Sequence, residues 1–333
     1  MYIIECSWTL SNILLIYNKI FLFNMFFSTH PDKYWFQTLI ILGIAMSLVL
    51  WYKQQDLSPY YEGFKQDTHY ILKTGNDAYD RFYVEIYDQL MLPDKRCVFE
   101  TDKIIEMTQP SINNSVLLDI GIGTGHLAKQ LIDRGFRVHG IDKSSAMIEH
   151  TEEKCPKAQL KCGDVQEPML YEAGTFTHIT CLGMTIYQIP NKIDFFQNCY
   201  FWLKPGGYLV IHLVDPSRFD PIIPGGKPPL LDNPQQYASS RITDTIIDFI
   251  DFKYKAQYDF QDLSSKKQVQ FKETFTDELT KNIRQNERTL HMESMDTLIK
   301  LAARCGFIVH GQVTLSQCNN DNNQFLVIFE RPQ

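Results

Sequence analysis

At 333 residues, with 44% hydrophobic and 21% charged side chains, the chain has the composition of a folded protein: one large domain with an appendage. A formal charge of −7 argues against a protein whose main partner is a phosphate backbone, which requires a dense Lys and Arg surface, so no nucleic-acid partner is expected. The eight cysteines form no CxxC pair and no Cys/His group at zinc spacing, so reduced thiols and no metal site are expected.

From Trp35 to Tyr52 the sequence WFQTLIILGIAMSLVLWY carries no charge, is bounded by Lys33 and Lys53, and has aromatics at both edges. This pattern predicts a bilayer-spanning helix. Upstream, Leu10 to Phe27 is apolar but interrupted by Asn12, Asn18, Lys19 and Asn24. It reads as a second span, as an interfacial helix, or as residues preceding a start at Met25, and a single span is the expectation. Residues 1–56 thus form a membrane segment with the start of a linker, and residues 57–333 a globular domain. The linker extends to about residue 75, with Pro59 and Gly75 in it.

The globular pattern opens with a helix over 76–91, where Tyr79, Tyr83, Ile86, Tyr87 and Leu90 recur at helical spacing, followed by a second helix over 98–107. Strands are expected at 115–120, 136–141, 158–162, 176–182 and 207–213, with helices at 124–134, 144–154 and 191–203 between them. Such alternation is the pattern of an α/β fold whose parallel sheet is covered on both faces. The Pro-rich run from Phe219 to Pro234 predicts an irregular loop over the open end of that sheet. Beyond it, Ile246–Tyr258 and Gln268–Thr276 fit a hairpin. A helix within Thr289–Phe307 ends near Gly306, and strands at Phe307–Leu315 and Gln324–Glu330 finish the sheet.

The chemistry concentrates in Val116–Leu131, VLLDIGIGTGHLAKQL, which places an apolar strand, Asp119, then Gly121, Gly123 and Gly125, then an amphipathic helix. Glycines at such a turn remove side chains, so that a ligand can lie against backbone and the next helix N-terminus. A second strand ends in Asp142, where a carboxylate can accept both hydroxyls of a ribose. The turn is GxGxG followed by His126, not GxGxxG, so the spacing that seats a dinucleotide pyrophosphate is missing and a nicotinamide oxidoreductase loses weight. The third strand ends in KCGDVQE, with Asp164 and Val165 placed for an adenine edge and face, and LKPGGYLVI, Leu203–Ile211, sets a Pro-Gly-Gly turn before the fifth strand.

With these motifs in this order, residues 76–331 resemble the class I, Rossmann-like S-adenosylmethionine-dependent methyltransferases. The resemblance implies seven mostly parallel strands in the order 3-2-1-4-5-7-6, with S-adenosylmethionine across the carboxyl ends of strands one to four. It implies Asp119 near the methionine end of the cofactor, Gly121, Gly123 and Gly125 in the turn beneath it, and Asp142 on the ribose. Asp164 and Val165 would lie at the adenine, and Leu182, Gly183 and Met184 beside the cofactor as backbone. Two departures stand out: His178 replaces the acidic residue many relatives carry at the start of strand four, and the proline-containing tetrapeptides used on nucleobase and glutamine nitrogens are absent.

A general base is needed only if the accepting atom carries a proton. The candidates are Tyr187, His212 and His291. Each has a plainer reading: core packing for Tyr187, a satisfied core histidine for His212, and a helix cap for His291. Tyr79, Tyr83 and Tyr87 read equally as a lid over the cofactor and as the buried face of an amphipathic helix. The expected protein is a membrane-anchored methyltransferase acting on a small molecule, lipid or protein, the alternative being a cofactor-binding scaffold without activity. Its domain should face the cytosol, where the cofactor is made and thiols stay reduced.

Overall fold

The computed structural model describes Trp35 and residues 38–48, 66, 68–227 and 234–333. The chain divides into two compact units, Met1–Tyr60 and Tyr61–Gln333. In the first, residues 38–48 are helical, and Leu39, Ile41, Leu42, Ile44, Met46 and Leu48 are all exposed. Among the described residues no helix is long and apolar enough to cross a membrane. The remainder of the span expected at 35–52, and the segment Leu10–Phe27, lie outside the described residues.

The second unit begins with β1 (Tyr70–Thr74), α1 (Arg81–Met91), α2 (Pro93–Thr108), β2 (Val116–Ile120), α3 (His126–Asp133), β3 (Arg137–Asp142), α4 (Ser145–Lys154) and β4 (Gln159–Cys162). It continues through β5 (Phe176–Cys181), α5 (Lys192–Trp202), β6 (Leu203–Val214), β7 (Asp244–Asp248), β8 (Phe252–Asp259), β9 (Gln268–Asp277) and β10 (Ile283–His291). It closes with α6 (Met295–Arg304), β11 (Ile308–Thr314) and β12 (Gln324–Glu330).

One sheet has the order β11-β12-β6-β5-β2-β3-β4. Strands β2 to β6 pair in parallel, and β12 runs antiparallel to β6 and β11. Numbered in chain order within this sheet, and read from the β4 edge, the sequence of strands is 3-2-1-4-5-7-6. Its central strands are near-continuous apolar runs because both faces are covered: Leu117, Leu118, Ile120, Ile179, Cys181 and Ile211 are all buried. Strand β6 starts at Leu203, so the Pro-Gly-Gly step expected ahead of the strand lies inside it. Gly206, at φ 73°, donates its N–H to the Arg331 carbonyl at 2.7 Å, and the pairing with β5 shifts register there.

A second sheet, β1-β10-β9-β8-β7, replaces the single hairpin expected after the Pro-rich run. Ile246–Tyr258 is itself a hairpin, closed where Phe249 donates its N–H to the Phe252 carbonyl at 3.0 Å. Strands β9 and β10 alternate buried and partly exposed residues, which is the pattern of a sheet packed on one face. Strand β1 lies in the stretch read as linker and pairs in parallel with β10. Thr289–His291 ends β10 and does not begin a helix. Helix α6 starts at Met295, where the Ser294 hydroxyl accepts the Thr297 N–H at 3.3 Å.

Helix α1 starts at Arg81, behind a 3-10 turn at Gly75–Ala78, and not at Asn76. Asp80 is its cap, accepting the Tyr83 N–H at 3.3 Å. The described part of the Pro-rich loop packs on the last turn of α1: a Cβ added at Gly225 would stand 2.6 Å from the Gln89 carbonyl oxygen. Residues 228–233 of that loop lie outside the described residues.

Candidate active site

A cavity of about 200 Å³ opens at the carboxyl ends of β2, β3 and β5, several times the ~30 Å³ share of one water. Its floor is the turn after β2, and its walls come from α1, α2 and the segment after β5. This is the crevice where open parallel sheets bind ligands.

Asp142 ends β3 facing that turn. One carboxylate oxygen accepts the Gly123 N–H at 3.0 Å and the other the Ser144 N–H at 2.9 Å, so the group is fixed in orientation while spare lone pairs remain. Burial raises its pKa by more than the hydrogen bonds from Ser144 and Gly123 lower it. Gly123 stands at φ 54°, and a Cβ there would meet only the Gly121 carbonyl oxygen, at 3.9 Å. Gly121 is glycine for packing: a Cβ would stand 2.5 Å from Thr185 Cγ2. Gly125, which caps α3, is similarly closed off by Thr151 at 2.7 Å and does not line the cavity.

Asp119, at the end of β2, is 5% exposed and lines the cavity. The Thr180 hydroxyl donates to it at 2.7 Å, and its charged neighbours, Glu100 and Asp142, share its sign. Burial first, and those two carboxylates next, push its pKa up to about 7.

The other expected residues divide. Val165 and Leu182 line the cavity, as do Tyr79 and Tyr87. Asp164 does not: its carboxylate pairs with the Lys143 ammonium at 2.7 Å and accepts the Gln166 N–H at 3.0 Å, and the adjoining Gly163 and Val165 form the wall. Tyr83 turns away, donating its phenol to Glu273 at 2.8 Å. None of the three candidates for a base reaches the cavity. Tyr187 is fully buried, and its hydroxyl accepts the Val214 N–H at 2.8 Å and donates to the Val214 carbonyl at 3.3 Å. His212 is equally buried, bridging the Met184 N–H at 3.2 Å and the Gln324 side-chain carbonyl at 3.1 Å, and burial drives its pKa well below the usual histidine value. Both hold the walls of the site and not its contents. His291 also lies off the cavity, its carbonyl accepting from Lys192 at 3.2 Å.

Several residues of the site escape a sequence reading. Arg96 and Glu100 of α2 pair at 2.7 Å and both line the cavity, with Glu100 the charged neighbour of Asp119. Spaced i,i+4, they have the pattern of an ordinary solvated pair. His126, which departs from the dinucleotide turn, is held by Asp88 at 2.6 Å and Asp94 at 3.1 Å, so α1 and α2 grip the first turn of α3. Tyr79 donates its hydroxyl to Gln188 at 2.8 Å, joining the segment before α1 to the turn after β5 across one wall of the cavity.

Comparison with known proteins agrees with this geometry. Residues 117–207, from β2 into β6, match the model of a methyltransferase domain. The ubiquinone biosynthesis O-methyltransferase of Coxiella burnetii is 30% identical over 117 residues, 34% of this chain and 49% of the relative. An uncharacterized methyltransferase of Oceanobacillus iheyensis is 34% identical over 91 residues, 27% of this chain and 36% of that one. The chain thus spans about half the length of the first of these or less. Among solved structures, the CcbJ methyltransferase of Streptomyces caelestis shares the fold with a TM-score of 0.58 at 17% identity, covering 77% of this chain and 98% of its own. An S-adenosylmethionine-dependent methyltransferase of Clostridium acetobutylicum gives 0.56 at 17% identity, covering 75% and 98%. Residues 117–207 thus match a methyltransferase domain, and the chain around them has the fold of the S-adenosylmethionine-dependent methyltransferases.

Proposed function

We propose that the protein is an S-adenosylmethionine-dependent methyltransferase that methylates a small molecule while anchored to a membrane by its N-terminal apolar segment, with the domain facing the cytosol. The observation that carries the cofactor reading is the Asp142 carboxylate. It is oriented by two backbone N–H groups toward a glycine turn that leaves space where a side chain would be.

The chain's residues fit S-adenosylmethionine on the chemistry of its parts. Asp142 would take the ribose hydroxyls, Val165 and Met147 offer apolar contact for the adenine, and Asp119, a buried carboxyl among like charges, suits the methionine ammonium. When bound, the sulfonium supplies a methyl group that is already electrophilic. The task left to the residues is to align an acceptor and exclude water. Tyr79 with Gln188 closes one wall, and the Leu182–Gly183 backbone, held by His212 through Met184, forms another.

Anchoring is supported by the exposed apolar residues of the helix at 38–48, and a cytosolic face by the seven described cysteines, all free thiols. The small-molecule acceptor is supported by the relative named for ubiquinone biosynthesis. The test is calorimetric titration with S-adenosylmethionine, followed by transfer of a radiolabelled methyl group to fractionated small molecules, lipids and proteins. Absence of binding overturns the cofactor reading. Binding without transfer to any fraction makes the protein a scaffold, and label in protein or lipid redirects the acceptor.

A further inference from the structure

One end of the five-stranded sheet carries side chains that the fold leaves bare. Ile250, in the turn from β7 to β8, is 92% exposed, and Leu279, in the turn from β9 to β10, is 88% exposed. Turn tips favour Gly, Asn, Asp and Ser, which set the backbone or hydrogen-bond to it, and neither Ile nor Leu does so. The two turns are joined, because Glu278 donates its N–H to the Asp251 carbonyl at 2.9 Å.

Register shows what else lies at that end. Phe252 stands opposite Asp277, Thr276 opposite Ile283, and Ile283 beside Tyr70, so the beginning of β1 shares the edge with both tips. Ile283 also donates its N–H to the His69 carbonyl at 2.8 Å, extending the pairing toward the N-terminus. The N-terminal strand β1 therefore enters the sheet at the edge where Ile250 and Leu279 project. Both lysines near the tips are paired, Lys253 with Asp248 at 3.2 Å and Lys281 with Glu278 at 2.7 Å, and Asp251 and Asp277 add further acid there.

We propose that this end of the five-stranded sheet is a lipid-contacting surface, with Ile250 and Leu279 seated at the headgroup–acyl boundary of the bilayer. The inference rests on the anchored reading above, which supplies the bilayer. It adds a second point of attachment, which fixes how the domain is turned toward the membrane. Because both nearby lysines are already paired, apolar contact and not attraction to lipid charge drives the seating, and salt should change it little.

The experiment uses the full chain in phosphatidylcholine vesicles, with the photocrosslinker p-benzoylphenylalanine replacing Ile250, Leu279 or, as an equally bare apolar control, Met169, which is 89% exposed. All three positions are open to solvent, so the replacements leave the fold intact. Lipid adducts about ten-fold more abundant at 250 and 279 than at 169, and unchanged by added salt, are the expected result for apolar seating. Equal yields at the three positions, or adducts to a second copy or another protein, overturn it. Alkaline carbonate washing of the same vesicles separates the two readings. A chain that washes off removes the anchor and this inference together, whereas a chain that stays without lipid adducts at the tips removes this inference alone.

Discussion

Two buried carboxylates show how differently the two sheets treat charge. Glu273, in β9, accepts the phenols of Tyr83 at 2.8 Å and Tyr254 at 2.7 Å and pairs with the Arg288 guanidinium, which lies over the rings of Tyr79 and Phe271. Asp119, in β2, has one hydroxyl and two neighbours of its own sign. In the first network the carboxylate has its partners within the protein, and the network joins α1 to the five-stranded sheet. The second is open on the cavity side, and a cationic ligand completes it. A buried carboxyl with its partners in place marks structure, and one left without a counter-ion beside a cavity marks a binding function.

The comparison breaks most visibly at Glu273. Glu273→Ala leaves Arg288 a buried cation and strips two phenols of their acceptor, so stability should fall by roughly 3–5 kcal/mol, the usual cost of removing one partner of a buried pair. Chemical denaturation measures it. A loss below about 1 kcal/mol, the level of a solvent-exposed pair, would show that water reaches the network.

Asp119 should respond in the opposite direction. Its folded-state pKa, about 7, lies above the ordinary carboxyl value of 3.8, so the folded state resists its ionisation. Stability should fall as pH rises from about 4 to about 7 and level off above that, since the unfolded chain gives up this proton first. Asp119→Asn removes the penalty, worth up to about 4 kcal/mol at pH 8 and vanishing near pH 4. The same variant should bind S-adenosylmethionine more weakly. A variant without added stability at pH 8 would mean that a cation or water already compensates the carboxyl.

For Asp142 the effect is on affinity. Asp142→Ala should weaken S-adenosylmethionine binding by roughly 1.5–3 kcal/mol, the range of a hydrogen bond to a charged group. Calorimetry reads this directly, and an unchanged dissociation constant would place the ribose elsewhere.

How much of this was legible in the sequence follows from how far apart the partners lie. Asp119, the glycine turn and Asp142 belong to one strand–turn–helix–strand unit, where Gly123 and Asp142 are 19 residues apart and their meeting is set by local geometry. Tyr83 meets Glu273 across 190 residues and Arg288 across 205, and no periodicity encodes such a pairing. Strand β10 was obscured in another way. Leu290 and Met292 are both buried and two residues apart, a strand alternation, but the helical run directly after Ser294 absorbs them into its own pattern. Asp164 shows the limit of motif transfer: its position is right for the third strand's end, yet Lys143 occupies its carboxylate and its neighbours form the wall.

The smallest predicted effect separates wall from contents at Tyr187. By sequence this tyrosine stood equally as a residue facing the methyl group and as core. In the structure its hydroxyl serves both the N–H and the carbonyl of Val214, the last residue of β6, which fixes how the chain turns out of the sheet beside the cavity. Burial raises the phenol's pKa, so it is neutral throughout the physiological range and unsuited to take a proton from an acceptor. Tyr187→Phe keeps the ring and removes the hydroxyl, and should lower stability by about 1 kcal/mol, the net worth of an intramolecular hydrogen bond. Turnover per folded molecule should stay within about two-fold of the parent, because a general base contributes 10²–10⁴-fold and this residue contributes none. A loss of turnover of about 10²-fold or more with stability unchanged would return Tyr187 to the chemistry and mean that the segment after β5 moves when the acceptor binds.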